Sequence, residues 1–386
     1  MRLSTGRHRR TRTLSIAAAV ALAAGAGGVH LGLAQGGARA VSTTVTVSTT
    51  AQLESAVRNA VAGTVIEVRG GTYHPTATLT STASGTSTQR ITLRAHDGEK
   101  VRIDGSELPA GSWLAGIHGS YWTVQDLTFR RAPAQGLVVT SSTGGVFEDL
   151  VTADNGGSGF TLRGDGTVGN LVRNLDSHGN HDATGHGRTA DGIAVTFGSG
   201  GGNRITGTRL HDNADDGLDL WQFSTPVTVE HSWAFGNGGN RRGDTALEGN
   251  GNGNGFELGG GGVAVGHVVN DNAAWDNALD GFAENSNTGA VALHRNTAYA
   301  NARAGFSFAT GTARLTRNLS VGNQGGPAAR GSSTVSAANS WDSGVSTPSF
   351  RSTDATTAYG PRASDGSLPS TTFLTTGSTA IGAAMD

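Results

Sequence analysis

The 386-residue chain contains no cysteine and a single lysine, Lys100. Without cysteine, an exported protein of this size is stabilised without disulfides, and a thiolate metal centre is excluded. The net charge of -2 lacks the basic excess that nucleic-acid binding requires. Beyond residue 40 no apolar run is long enough to span a bilayer. Glycine is abundant, at 61 residues, but there is no G-x-y register, so collagen is excluded.

The first 40 residues have a different composition. Arg2, Arg7, Arg9, Arg10 and Arg12 precede the small apolar stretch "LSIAAAVALAAGAGGVHLGLA", and "ARA" stands before Val41. That order of basic, apolar and A-x-A segments reads as a removable secretory signal peptide, with a membrane anchor as the alternative; Gly and Ala dominate the apolar stretch and His30 interrupts it, which favours export and an extracellular mature protein. About 345 residues remain. That length suits two domains or one elongated repeat.

Regular spacing favours the repeat over disorder. "VTADNGGSGFTL", "LHDNADDGLDL", "AAWDNALDGFAE" and "AYANARAGFSF" each place an Asn four residues before a Gly: Asn155 and Gly159, Asn213 and Gly217, Asn277 and Gly281, Asn301 and Gly305. Asn180 to Gly192 and Asn237 to Gly255 keep both ends but widen the gap, and Asn323 closes the series. Where nothing is inserted, successive asparagines lie 22 to 25 residues apart. This period fits a solenoid coil of three short strands. Asn suits the tight turn and stacks in amide ladders. The fold class is therefore all-β: a right-handed parallel β-helix, its coils about 4.8 Å apart, with a short N-terminal capping helix. "TTAQLESAVRNAV" supplies that helix, capped by Thr49 or Thr50 and burying Leu53, Val57 and Val61. The expected organisation is 1–40 signal peptide and 41–386 one β-helix domain, with 331–386 an irregular C-terminal cover.

Aligned on the Gly of each coil, Asp191, Asp216, Asn254 and Asp280 fall in one column. Asp215 is one step earlier. Asp219 and Glu257 each lie two after their glycines and point the same way from adjacent coils. Asp191, Asp215, Asp216 and Asp219 thus gather on one stripe, flanked by the two widened loops, where function concentrates. Hard oxygen donors suit Ca²⁺ far better than Zn²⁺, although His178, His181 and His186 keep zinc open. Asp212 and Asp280 read better as turn residues.

"TADGIAV", "NADDGLDLW", "EHSWAFGNG" and "GNGNGFELGG" resemble, in order and spacing, the family 9 polysaccharide lyases of the pectate lyase type. The similarity runs from about residue 45 to the C-terminus. The resemblance implies a right-handed parallel β-helix and β-elimination of pectate. It also implies Ca²⁺ bound by Asp191, Asp215, Asp216 and Asp219. The family pattern reads G-N-G-F-K-L-G-G, and its lysine removes the C5 proton of the uronate. Here that position is Glu257, the candidate catalytic residue. Three roles are open to it: base of a lyase, extra calcium ligand with Arg241, Arg242 or Arg295 near the proton, or mark of a non-catalytic polyuronate binder. A glycoside hydrolase using Asp216 and Glu257 is a further alternative.

Arg241, Arg242 and Trp221 are candidate substrate-binding residues, with Arg188 beside them. Trp221, Trp233, Phe235 and Trp275 are candidates for a sugar platform, with core packing the better reading for Phe235. The expected partner is an acidic polysaccharide such as polygalacturonate, bound by a monomer, with neither nucleic acid nor membrane involved.

Overall fold

In the computed structural model the described residues are 42–182, 185–239, 252–377 and 380–385. The expected signal peptide, Arg241 and Arg242 lie outside them. Among the described residues the strands form three parallel sheets of twelve, ten and ten strands, and each complete coil contributes one strand to each sheet. Every strand therefore pairs with the strand one coil away. Among the described residues no helix is long and apolar enough to cross a membrane.

Side-chain alternation sets the register. One inward column runs Leu137, Phe160, Ile193, Leu218, Phe256, Phe282, Phe306. The last three rings stack with centroids 4.9 Å apart and planes within 5°. The next position along each strand points outward and gives the row Val138, Thr161, Ala194, Asp219, Glu257, Ala283. Inside is apolar and continuous; outside is free to carry chemistry. We refer to this ten-stranded sheet as the cleft sheet.

The corners are built as the repeat predicts. Each ladder Asn donates its Nδ2 to the Oδ1 of the next: Asn155 to Asn180 at 2.9 Å, Asn180 to Asn213 at 2.8 Å, and so on through Asn301 to Asn323 at 2.8 Å. Asn237, Asn277 and Asn301 also donate to backbone carbonyls, which satisfies polar groups no strand reaches. Gly is required at the bend because a Cβ on Gly217 would lie 2.5 Å from the Gly255 carbonyl oxygen. A second ladder, Asn272, Asn296, Asn318 and Asn339, repeats the device at another corner with 3.0 Å links.

Both ends depart from expectation in detail. The helix Thr50–Arg58 is capped by Thr49 and buries Leu53 and Val57. It stops before Val61, which is 65% exposed. At the far end, Ala328–Arg330 and Val335–Ala337 add further strands, and Trp341 packs over Phe306 at 5.0 Å. The chain then doubles back and covers the other ten-stranded sheet along its side. Phe373 meets Trp275 edge-on at 5.0 Å and Tyr359 meets Phe235 at 5.1 Å.

Candidate active-site cleft

A cleft of about 520 Å³ lies on the outward face of the cleft sheet. Asp191, Asp215, Asp216, Asp219, Trp221 and Glu257 all line it. Residues separated by 66 positions meet there because the coils stack.

The scaffold uses one oxygen of each column residue. Asp191 Oδ1 accepts from the Asp216 N–H at 3.3 Å and Asp216 Oδ1 from the Asn254 N–H at 2.6 Å. Asn254 Oδ1 then accepts from Asp280 N–H at 3.1 Å, and Asp280 Oδ1 from Ala304 N–H at 2.7 Å. Asp280 is thus a corner acceptor. Asp212 sits at left-handed φ 56° in the column of turn residues with Asp154 and Asp276. Both match the turn reading.

Asp191, Asp215 and Asp216 each offer an oxygen, and these lie within 4.8 Å of one another. Asp191 Oδ2 is oriented by the Ser158 hydroxyl at 2.9 Å, and Asp215 Oδ1 by the Asn252 N–H at 2.6 Å. Asp219 stands outside that three-oxygen group, in the adjoining row opposite Glu257. Its Oδ1 is buried and has no hydrogen-bond partner. An all-oxygen acceptor set with one orphaned member, Asp219 Oδ1, is the donor chemistry of a hard cation, so the residues fit Ca²⁺. No histidine joins the group; His178 stacks on His211 at 4.9 Å, on the covered sheet.

The electrostatics express the same demand. Burial, then repulsion from Asp215, Glu257 and one another, drives Asp191, Asp216 and Asp219 well above the usual carboxylate range. Burial pushes Asp215 up to about 7. Glu257 is raised by burial, although its hydrogen bonds oppose this. Oε2 accepts from Asn252 Nδ2 at 2.8 Å and Asn254 Nδ2 at 3.0 Å, and Oε1 accepts from Asn285. Those amides favour the ionised form and fix its direction.

Other candidates separate clearly. Trp221 lines the cleft and lies against Gly260, where a Cβ would come 2.1 Å from the indole. Trp233, Phe235 and Trp275 form no sugar platform; they are buried under the C-terminal segment. Arg188 lines the cleft. Arg295 does not; its Nε forms an ion pair with Asp271 at 3.1 Å, at another corner. Sequence reading missed Asn252 and Asn285 as partners of Glu257, and missed Trp113, Thr161 and Arg163 in the cleft wall. Thr161 and Arg163 had a signal: they alternate outward on the strand Phe160–Asp165. Trp113 lies in an aperiodic loop and had none.

Residues 34–320 match the family model described as Pel9A-like, right-handed β-helix region. Pectate lyase PEL9 of Emericella nidulans is 38% identical over 357 residues, covering 83% of this chain and 86% of that protein. Pectate lyase L of Dickeya chrysanthemi is 33% identical over 312 residues, covering 77% and 70%. The crystal structure of pectate lyase Pel9A superposes with a TM-score of 0.75 at 30% identity, covering 84% of this chain and 83% of that one. A rhamnogalacturonan lyase, at 22% identity and a TM-score of 0.74, shares the fold. The chain therefore belongs to the Pel9A-like family of right-handed β-helix, pectate-lyase-type polysaccharide lyases.

Proposed function

We propose that this protein is a secreted, calcium-dependent lyase that cleaves a polyuronate such as pectate by β-elimination, with Glu257 in the place of the family's lysine base. The carrying observation is the convergence of three carboxylates beside an orphaned fourth in one cleft of about 520 Å³. Asp191, Asp215 and Asp216 would hold the cation, with Asp219 beside them as a fourth donor. A bound Ca²⁺ supplies positive charge against the substrate carboxylate, which eases loss of the neighbouring proton. Glu257 lies in the same row as Asp219; burial raises its carboxyl, which makes it a stronger proton acceptor, while its amide partners oppose that rise and fix its direction. Trp221 presents an aromatic wall to the sugar. Arg241 and Arg242, outside the described residues, are assigned to uronate carboxylates on their chemistry alone. Residues 1–40 direct export, and residues 41–386 act as one monomeric domain; N-terminal sequencing of the secreted protein tests the boundary.

One observation favours a second reading, a non-catalytic polyuronate binder. Both Glu257 oxygens already accept amide protons, which weakens a base. Polygalacturonate with and without Ca²⁺ separates the readings. Calcium-dependent growth of ultraviolet absorbance, from the 4,5-unsaturated product, supports the lyase. Binding without product supports the binder, and reducing ends without absorbance mean hydrolysis. Neither binding nor product overturns the proposal.

A further inference from the structure

Arginines on this β-helix usually pair with an acid on an adjacent coil. Arg94 pairs with Glu67, Arg173 with Glu148, and Arg209 with Asp176. Arg163 does not. It lines the cleft and has no ion pair among the described residues, and its guanidinium carbon lies 5.9 Å from the centroid of the Trp113 ring. Beside it, Thr161 is 5% exposed, faces the same cleft, and its Oγ1 has no hydrogen-bond partner. A charged donor fork and an unpaired buried hydroxyl, two positions apart on one strand, together lack an acceptor-rich ligand.

Register fixes their distance from the acids. Arg163 pairs with Thr196 one coil on, and Ala194 of that strand pairs with Asp219 on the next. Two coils separate Arg163 from Asp219, roughly 10 Å along the axis. The cleft joins the two points without interruption.

We infer that Arg163, braced on Trp113 and flanked by the Thr161 hydroxyl, forms a second carboxylate-binding subsite. It takes a uronate unit of the same polymer, on the N-terminal side of the acid cluster. The inference rests on the polyuronate reading and adds polymer direction and charge specificity to it. The polymer lies along the helix axis, one unit at the cation and another at Arg163. The cation–π contact with Trp113 restrains the guanidinium, and its planar fork is suited to a bidentate carboxylate.

The test titrates the full-length chain, in fixed Ca²⁺, with galacturonate oligomers of increasing length by calorimetry. Wild-type affinity should rise with length until the oligomer spans both points. Arg163→Gln should weaken the long oligomers about tenfold, the factor of one well-made charged contact. Its melting temperature should be unchanged, because no acid depends on this side chain. Arg163→Lys should fall between the two, and Trp113→Ala should lose affinity in the same direction. Methyl-esterified oligomers, which carry no charge, should not distinguish Arg163→Gln from wild type. Equal affinity of wild type and Arg163→Gln for long acidic oligomers overturns the subsite and leaves the proposed function standing. A wild-type chain that binds no acidic oligomer overturns the proposed function and the subsite with it.

Discussion

Asp215 reports what the site is waiting for. Burial raises its carboxyl to about 7, from an ordinary value of 3.8. Between those values the folded, metal-free chain holds a proton that the unfolded chain has released. That contribution is present at acidic pH and is lost as pH rises through 7. Metal-free protein should therefore melt lower at pH 8 than at pH 5 through this residue. Asp215→Asn should flatten the slope, which the difference in melting temperature between variant and wild type measures. Calcium competes with the same proton, so the rise in melting temperature on adding Ca²⁺ should grow over the same interval. Glu257 carries the second residue-scale prediction. If its carboxylate takes the proton, Glu257→Gln should lower the elimination rate on the order of 100-fold or more with little change in polymer binding. Glu257→Lys should raise the rate instead, since it restores the base that the family pattern carries. A loss of elimination in Glu257→Lys would show that the surrounding asparagines no longer accommodate an amine.

At the scale of the strand and its corner, the asparagine period was readable because four of the ladder asparagines, Asn155, Asn213, Asn277 and Asn301, are followed four residues later by a Gly at a bend with no room for a Cβ. The second ladder, Asn272 to Asn339, has no such regular glycine: only Asn318 is followed four residues later by one, Gly322. It was invisible in the sequence although its hydrogen bonds are equally short. Outward residues such as Arg163 alternate legibly, but their purpose depends on which loop lies across from them. Interior rings and ladder amides differ in what their loss should do. Phe282 is fully buried between Phe256 and Phe306, so Phe282→Ala should cost about 3–5 kcal/mol in urea unfolding. Asn277→Ala removes the acceptor of both the Asn237 backbone N–H, at 3.1 Å, and its side-chain amide, at 2.9 Å. Each orphaned group costs about 1–3 kcal/mol. Asn323 stands at the end of the ladder and is partly exposed, so Asn323→Ala should cost clearly less.

Across the whole molecule, the C-terminal segment is the part that sequence pattern described least well. Its lack of period suggests an irregular end cover, and in the structure it runs back along the side of the solenoid. The reason is electrostatic as well as apolar. Asp176 sits under the segment, where burial alone would raise its carboxyl. Arg209 and Arg362 reverse that and hold it below the usual range. Arg362 reaches Asp176 across 186 residues at 2.6 Å and also donates to the carbonyls of Gly207 and Gly366. Arg209 donates to Asp176 and to the carbonyls of Ala358 and Gly360. One carboxylate thus joins the solenoid wall to the returning chain, and Trp233, Phe235 and Trp275 pack beneath that chain. Asp176→Asn keeps the shape but leaves two arginines facing each other, a loss of about 3–5 kcal/mol for a buried pair deprived of one partner. The solenoid's own ladders do not pass through Asp176, so the loss should appear as release of the cover rather than collapse of the coils. Limited proteolysis should then cut within residues 340–377 and leave a resistant core that retains parallel-sheet circular dichroism. Tryptophan fluorescence should shift to the red as Trp233 and Trp275 meet water. If coils and cover instead melt together in Asp176→Asn, the segment is an integral layer of the fold and not a separable one.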